Sequence, residues 1–425
     1  MKKAIGIVVS ILVVTCVAAM ILYYIRASKA EQQYVHRNSA AILALAVDDL
    51  LIDNLGSLMS ARSKQGSSND SLTKTLLQDI WNAGIDIPAR IYLYSLPEDS
   101  HSYYSVQKIN DQAQWDTFLQ KYKLETETSA DGTAIHLSKN IALLQSGDKI
   151  LFRLALRDSS SPSFTAEVLQ QEDNWLQIRQ LNAVKKLPKQ DHLSYWTLDS
   201  KLSIQAHIHN DKTEIQGSWQ LDRALPKGQY EARAFNANDI ALLFWSQLPI
   251  SSVPLLTEAL SNFSNTATGG DKTSSQLRYM DLLVRQQTVS QQDTIITYDY
   301  DEDFNSVETS AIQEIQVPMI ESVWQGDSTF AQQLPDKMFY KFKKEVNGRH
   351  IFLSTDANPH KDIKFAKKDA LLGLVMDFNY WPSTWLIQPF KSLQQQALKA
   401  NIKITTKDEK IMEIKGELRY KPILH

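Results

Sequence analysis

Cysteine is all but missing from this chain: there is one, Cys16, and it sits in an apolar N-terminal run. Everything after it is therefore barred from thiolate metal sites, cysteine nucleophiles and disulfides. A chain of 425 residues buries enough apolar surface to fold without cross-links, so this lack does not exclude export. Cys16 follows Thr15 and precedes more apolar residues, not a polar linker, which reads as a lipid-facing position and not a lipid attachment site. Glycine is also scarce, 14 in the chain, against an ordinary share of roughly 7%. Few positions can let a backbone hug a phosphate, which counts against a nucleotide loop. Neither charge sign dominates, with 45 Lys and Arg against 48 Asp and Glu. That gives no whole-chain case for nucleic acid. The Gly-x-Ser-x-Gly elbow, His-Glu-x-x-His and the Walker loop are all missing. No motif asks for a cofactor, and none marks an enzyme.

Long apolar runs are missing too, with one exception. From Ala4 to Ile25 there is no charge, about the roughly 20 residues needed to cross a hydrocarbon core. Lys2 and Lys3 precede the run, so residues 1–3 are expected as a cytoplasmic tip and 4–25 as a single-pass signal anchor. A cleaved signal peptide is the rival reading, with Ser28-Lys29-Ala30 as its cleavage site, but the apolar run is long for one. The anchor predicts an inner-membrane protein with the bulk of the chain periplasmic or extracytoplasmic.

The rest of the chain reads as one unit written twice. "NSAAILAL" from Asn38 matches "NDIALLFW" from Asn238; "SGDKILF" from Ser146 matches "NGRHIFL" from Asn347; "EIQGSWQLD" from Glu214 matches "EIKGELRYK" from Glu413. All three matches fall in the same order at an offset of about 200 residues. Two tandem related domains follow, at 33–224 and 235–425, joined by a 225–234 linker that holds Pro226 and Gly228. In the first, strands are expected over 40–46, 89–96 and 101–109, and helices over 48–62, 71–82, 111–122 and 164–186. Strands come in runs with helices between them, so the predicted class is α+β with mainly antiparallel sheets behind the transmembrane helix. Each domain closes on a hairpin, the first turning at Asn210-Asp211-Lys212 and the second around Lys407-Asp408.

Chemical candidates are few. Ser71 and Lys74 form a Ser-x-x-Lys, the spacing that lets a lysine activate a serine in penicillin-binding proteins and class A β-lactamases. The partner motifs Ser-Asp-Asn and Lys-Thr-Gly are missing, and Ser71 also reads as a helix N-cap. His207 and His209 alternate on a strand, so both point to one face and are a candidate zinc pair. Ile204, Ala206 and Ile208 occupy the opposite face, which makes a solvated face the alternative. Asp299, Asp301 and Asp303 open like a calcium loop, but the sixth and twelfth positions hold Phe304 and Ser310 where Gly and Glu are needed. An acidic hairpin tip that discourages edge pairing is the alternative. Residues 341–368 are basic, with Lys341 and Lys343 on one face of an alternating strand, while 299–321 is acidic. A basic outer face is the plain reading, and an anionic partner or lipid headgroups the sharper one.

The stretch "NSAAILALAVDDLL", an amphipathic helix after it and the duplication behind an apolar N-terminus together resemble membrane-anchored exported bacterial proteins of the Bacteroidota type. "DTIITYDYDEDFN" adds to the resemblance. It implies an exported class and no chemistry. The expected function is a non-catalytic binding or scaffolding role in the envelope, with a membrane, an envelope protein or lipid as partner. The alternatives are an envelope hydrolase with an unrecognised active site and a carrier of an apolar ligand between the repeats.

Overall fold

The computed structural model describes residues 24–53, 79–129, 132–138, 140–156, 172–181, 191–222, 224–225, 231–235, 239–248, 279–300, 306–326, 340–357, 364–387 and 390–421. The chain divides into two compact units between Asn210 and Asp211.

In the first unit the strands are β1 (Tyr34–His36), β2 (Ala41–Ala46), β3 (Arg90–Leu96), β4 (Asp99–Lys108), β5 (Glu125–Ser129) and β6 (Gly132–Ser138). They continue with β7 (Ile141–Ser146), β8 (Lys149–Ala155), β9 (Trp175–Gln177), β10 (Leu193–Thr197) and β11 (Leu202–Ile208). Hydrogen bonding orders them β11-β10-β2-β3-β4-β8-β7-β6-β5, every pair antiparallel. A separate small pair joins β1 to β9. The run "AILALA" of β2 is apolar almost throughout because the strand is central and both its faces are covered. Its Ile42 packs with Tyr94, Tyr104, Leu151, Ile178 and Trp196. The helix Gln112–Tyr122 starts where Asp111 accepts from the backbone N–H of Gln114, and it drives Trp115 among Ile135, Leu143 and Ile150.

The second unit holds β12 (Lys212–Gln220), β13 (Glu231–Arg233), β14 (Ile240–Ser246), β15 (Tyr279–Tyr300), β16 (Ser306–Gln325) and β17 (Lys343–Asn347). Then come β18 (His350–Ser354), β19 (Phe365–Lys367), β20 (Ala370–Asp377), β21 (Lys399–Thr406) and β22 (Ile411–Arg419). Their order is β12-β22-β21-β20-β14-β15-β16-β18-β17, again all antiparallel. The run β21-β20-β14-β15-β16-β18-β17 has the order of β11-β10-β2-β3-β4-β8-β7 in the first unit. The small pair β13–β19 likewise answers β1–β9. The matched segments "SGDKILF" and "NGRHIFL" sit at equivalent hairpins, β7–β8 and β17–β18, with Gly147 and Gly348 each at φ +59°. Two-residue hairpin connections need a positive φ there, so the glycines recur for a backbone reason.

Three expectations are corrected. The transmembrane helix, and with it the membrane partner and the inner-membrane single-pass location, is overturned: among the described residues no helix is long and apolar enough to cross a membrane. Of the expected span, residues 1–23 lie outside the described residues. Residues 24–30 are helical and belong to the first unit, where Arg26 binds both carboxylate oxygens of Asp48 (2.8 and 2.9 Å) and Ala30 is buried. The α+β class gives way to sheet-dominated units, in which the longest described helix is Gln112–Tyr122. The helix expected over 164–186 is, where described, two single 3-10 turns around β9, because Trp175–Gln177 hydrogen-bonds to β1. Much of the 48–62 and 71–82 expectation falls on 54–78, outside the described residues. Finally, β12 was expected to close the first domain, yet it pairs with β22 over its full length within the second unit. The two echoing strands are direct neighbours, Glu214 opposite Glu417 and Ser218 opposite Glu413.

Gly373 in β20 lies opposite Trp245 of β14. A Cβ there would sit 2.1 Å from two indole carbons, so the ring lies flat over the glycine backbone. Lys368 covers the same ring, its Nζ 5.4 Å from the centroid. Gly373→Ala must displace the indole from its buried site, and we expect a loss of about 1–3 kcal/mol, read by denaturant unfolding monitored on tryptophan fluorescence.

Candidate functional site

The histidine strand is resolved in full, and it brings together residues far apart in sequence. Asp53 ends the helix Val47–Asp53 that follows β2, His192 immediately precedes β10, and His207 lies in β11. His192 is held by its backbone, since its carbonyl accepts from Ala46 N–H at 2.8 Å. Its ring is fully buried, with Nε2 3.0 Å from Asp53 Oδ2; His207 Nε2 is 3.6 Å from the same oxygen. His209, the other predicted member, touches His207 ring to ring at 4.6 Å and has no place in the cluster around Asp53. Asp53 and His192 carried no local signal: one is an acid on a short helix, the other a single histidine before a strand.

Asp53, His192 and His207 offer ligand atoms close enough for one metal ion, but their detailed geometry fits another role. The Ile208 N–H donates to His192 Nδ1 at 2.8 Å. That nitrogen is an acceptor, so in neutral His192 the proton is on Nε2, aimed at Asp53. A zinc ion on Nε2 would need the opposite tautomer, with Nδ1–H facing another N–H. The two imidazoles are also stacked, 4.2 Å apart and 21° from parallel. A metal lies near the plane of each imidazole that binds it, and stacked rings share no such plane. The arrangement is a hydrogen bond from a buried His192 to a half-exposed Asp53, capped by a second imidazole. Burial, and then the neighbouring His207, push the His192 pKa below its ordinary value, against the opposing pull of Asp53 and Asp49. Nearby, burial raises the Asp191 carboxyl, against the pull of His207, Arg90 and His192.

Ser71, Lys74, Asp301 and Asp303 lie outside the described residues. Asp299 is in β15, with its backbone paired to Val307. In the first unit a cleft of about 460 Å³ is lined by Arg26, Lys29, Lys108, Lys149, Tyr34 and Trp175, among others. Its cations are largely committed: Arg26 to Asp48, Lys108 to Asp148 at 3.4 Å, and Lys149 over the Trp175 ring.

The acidic hairpin tip belongs to a hairpin of β15 and β16 whose length, 22 and 20 residues, no local pattern announced. Its base is clamped by Arg233 of β13. The guanidinium binds Asp281 through Nε and Nη2, both at 3.1 Å, and Glu321 through Nη1 at 3.0 Å. All three side chains are buried. Asp281 also accepts from Tyr279 Oη at 2.7 Å and from Val323 N–H at 2.8 Å. Burial still dominates and pushes its carboxyl up to about 6. In the sequence the only trace of this clamp is a lone carboxylate in each of two apolar runs, "YMDLLV" and "PMIESVW".

Beyond this base the hairpin leaves the sheet. Strand β14 accompanies β15 only as far as Arg285, and β18 meets β16 only from Glu321 on. Gln291 gives the last anchor, donating to the carbonyls of Lys341 and Thr355 at 2.8 and 2.9 Å, and Lys341 Nζ donates to the Gln292 carbonyl. From Asp293/Gln313 to Tyr300/Ser306 the two strands pair only with each other among the described residues. At the antiparallel rise this is an arm of about 27 Å with two unpaired edges. Ile312 on it is 75% exposed. From Gln286 to Ile320 the sequence carries Asp293, Asp299, Asp301, Glu302, Asp303, Glu308 and Glu314, and no lysine, arginine or histidine.

No family model matches the chain, and no curated protein matches it either. Among solved structures, crystal form IV of TP0453 is similar at a TM-score of 0.26 and 8% identity, over 43% of this chain and 77% of that one. Crystal form I of TP0453 gives 0.23 and 6%, over 77% and 89%. Likenesses at that level carry no argument about fold or function.

Two outcomes follow from the site. Unfolded chains take up an imidazole proton below about pH 6.5, while buried His192 resists it, so the first unit loses stability as pH falls below that value. His192→Gln should flatten this part of the melting-temperature profile, whereas a rise in melting temperature on stoichiometric zinc would overturn the hydrogen-bonded reading. Arg233→Met leaves two buried carboxylates without their cation and should cost about 3–5 kcal/mol in urea unfolding at pH 8. The loss should shrink as pH falls, because a protonated Asp281 no longer needs the guanidinium.

Proposed function

We propose that this chain is a non-catalytic binding protein whose acidic arm docks an extended, cationic segment of a partner protein. The observation that carries the reading is the arm itself: a self-paired ribbon reaching about 27 Å past its last anchor, with Asp293, Asp299 and Glu308 along it and no cation, and with both backbone edges unpaired among the described residues. An exposed strand edge is a template for another strand, with main-chain hydrogen bonds supplying affinity and side-chain charge supplying selection. A two-stranded ribbon alone is marginal in water, and a third strand satisfies more of its backbone. The carboxylates repel neutral-to-acidic strands, including other arms, and favour a strand rich in lysine or arginine. The clamp at Arg233 fixes the arm's base, so ordering the arm costs little on docking.

The test uses a fluorescent peptide of alternating lysine and valine, with a glutamate–valine peptide as control, in an anisotropy titration. The chain should bind the first and not the second, and affinity should fall about tenfold or more between low salt and about 0.5 M salt. A variant with residues 292–314 replaced by Asn-Gly, joining the paired Gln291 and Ile315, should lose the binding and keep its melting temperature. Equal binding by this variant would remove the arm from the function.

A further inference from the structure

The second unit carries a strand with the properties the arm selects for. Strand β17 is hydrogen-bonded to β18 on one side only, so among the described residues it is an edge strand. Its approach and first residues are Lys341-Phe342-Lys343-Lys344, with Lys341 and Lys343 exposed and Val346 51% exposed. Lysines on an edge ordinarily keep other strands away, because docking one costs desolvation of their charge; here Lys343 already reaches Glu345 of the same strand at 3.3 Å. A strand that brings carboxylates removes that penalty. An acidic arm is similarly closed to copies of itself and open to a basic edge. Each blocks general aggregation, and together they are complementary.

The topology prevents the two from meeting within one chain. Strand β18 is antiparallel to both β16 and β17, so β17 runs in the same direction as β16. Along β16 that direction leads from the hairpin tip at Ser306 into the sheet at Gln325. Strand β17 therefore starts beside the arm's anchor at Lys341 and heads away from its free part. The arm, where β15 pairs with β16 alone among the described residues, points the other way, clamped at its root by Arg233. An arm can reach a β17 edge only on another molecule.

We infer that the partner is a second copy of this chain, with the acidic arm of each molecule added to the basic β17 edge of the other. Reciprocal exchange closes the pair on itself and uses both complementary edges. This inference rests on the arm being a docking element and adds the identity of what it docks.

Sedimentation velocity on the whole chain tests it. The mass should double with concentration at about 50 mM salt and revert to monomer near 1 M, where the screening length has shrunk to roughly 3 Å. Reversing the edge (Lys341→Glu, Lys343→Glu, Lys344→Glu) should abolish association, and so should reversing the arm (Asp299→Lys, Glu308→Lys, Glu314→Lys). Mixing the two reversed proteins should restore it as a mixed pair, since each arm then meets an edge of opposite charge. A single variant carrying both reversals should associate again, which separates lost complementarity from a failed fold. A chain that stays monomeric at low salt, or that associates regardless of either reversal, overturns the inference. If that monomer still binds the lysine–valine peptide, the docking reading stands and only the second copy is refuted. If it binds neither, both are refuted.

Discussion

The buried guanidinium of Arg233 is the contact on which the second unit's distinctive shape depends. One cation ties a short strand to the roots of two long ones, through Asp281 on β15 and Glu321 on β16. Without it two carboxylates would be stranded in a dry environment, at a cost exceeding most single contacts. With it, two strands of 22 and 20 residues leave the sheet from a fixed root. The register around the clamp is tightened further by Tyr279 and the Val323 N–H. Glu321 keeps one carboxylate oxygen buried without a hydrogen-bond partner among the described residues, so the network holds more negative charge than one arginine offsets.

The first unit uses the same strand order but spends its buried polar groups differently. Where the second unit clamps a hairpin, the first ties a strand end to a helix: His192 joins the end of β11, through the Ile208 N–H, to the helix that follows β2, through Asp53. The link depends on one tautomer of one ring, which is why it fits a structural bond and resists a metal ion. Its hairpin β3–β4 is short, at 7 and 10 residues, so the equivalent of the arm is missing. One topology thus supports two outcomes, decided by the length of a single pair of strands and by what anchors it.

Much of the construction was legible in the sequence. The apolar runs "AILALA" and "IALLFWS" read as strands and are the central strands of their sheets, because a strand covered on both faces needs no polar alternation. The glycines before "DKILF" and "RHIFL" read as turns feeding apolar strands, and they are hairpin turns whose φ of +59° glycine takes cheaply. "EIQGSWQLD" and "EIKGELRYK" read as equivalent closing strands. Their resemblance was visible, but their pairing was not, since alternation specifies a strand and leaves its neighbour open. The acidic stretch was legible as charge, and it was read as a hairpin tip. Its extent was not, because nothing in "TVSQQDTIITY" says whether a third strand lies alongside.

The sequence by itself determined the strands, their turns and the sign of charge along them, since these follow from side-chain alternation, backbone freedom and ionisation within a few residues. Only the tertiary structure decided which strands are neighbours, that Arg233 meets Asp281 and Glu321, and that His192 meets Asp53 and not His209. These are contacts between residues separated by 48 to 139 positions, and their energy comes from excluding water around paired charges. No local pattern records that exclusion. It exists only once the sheets have closed over it.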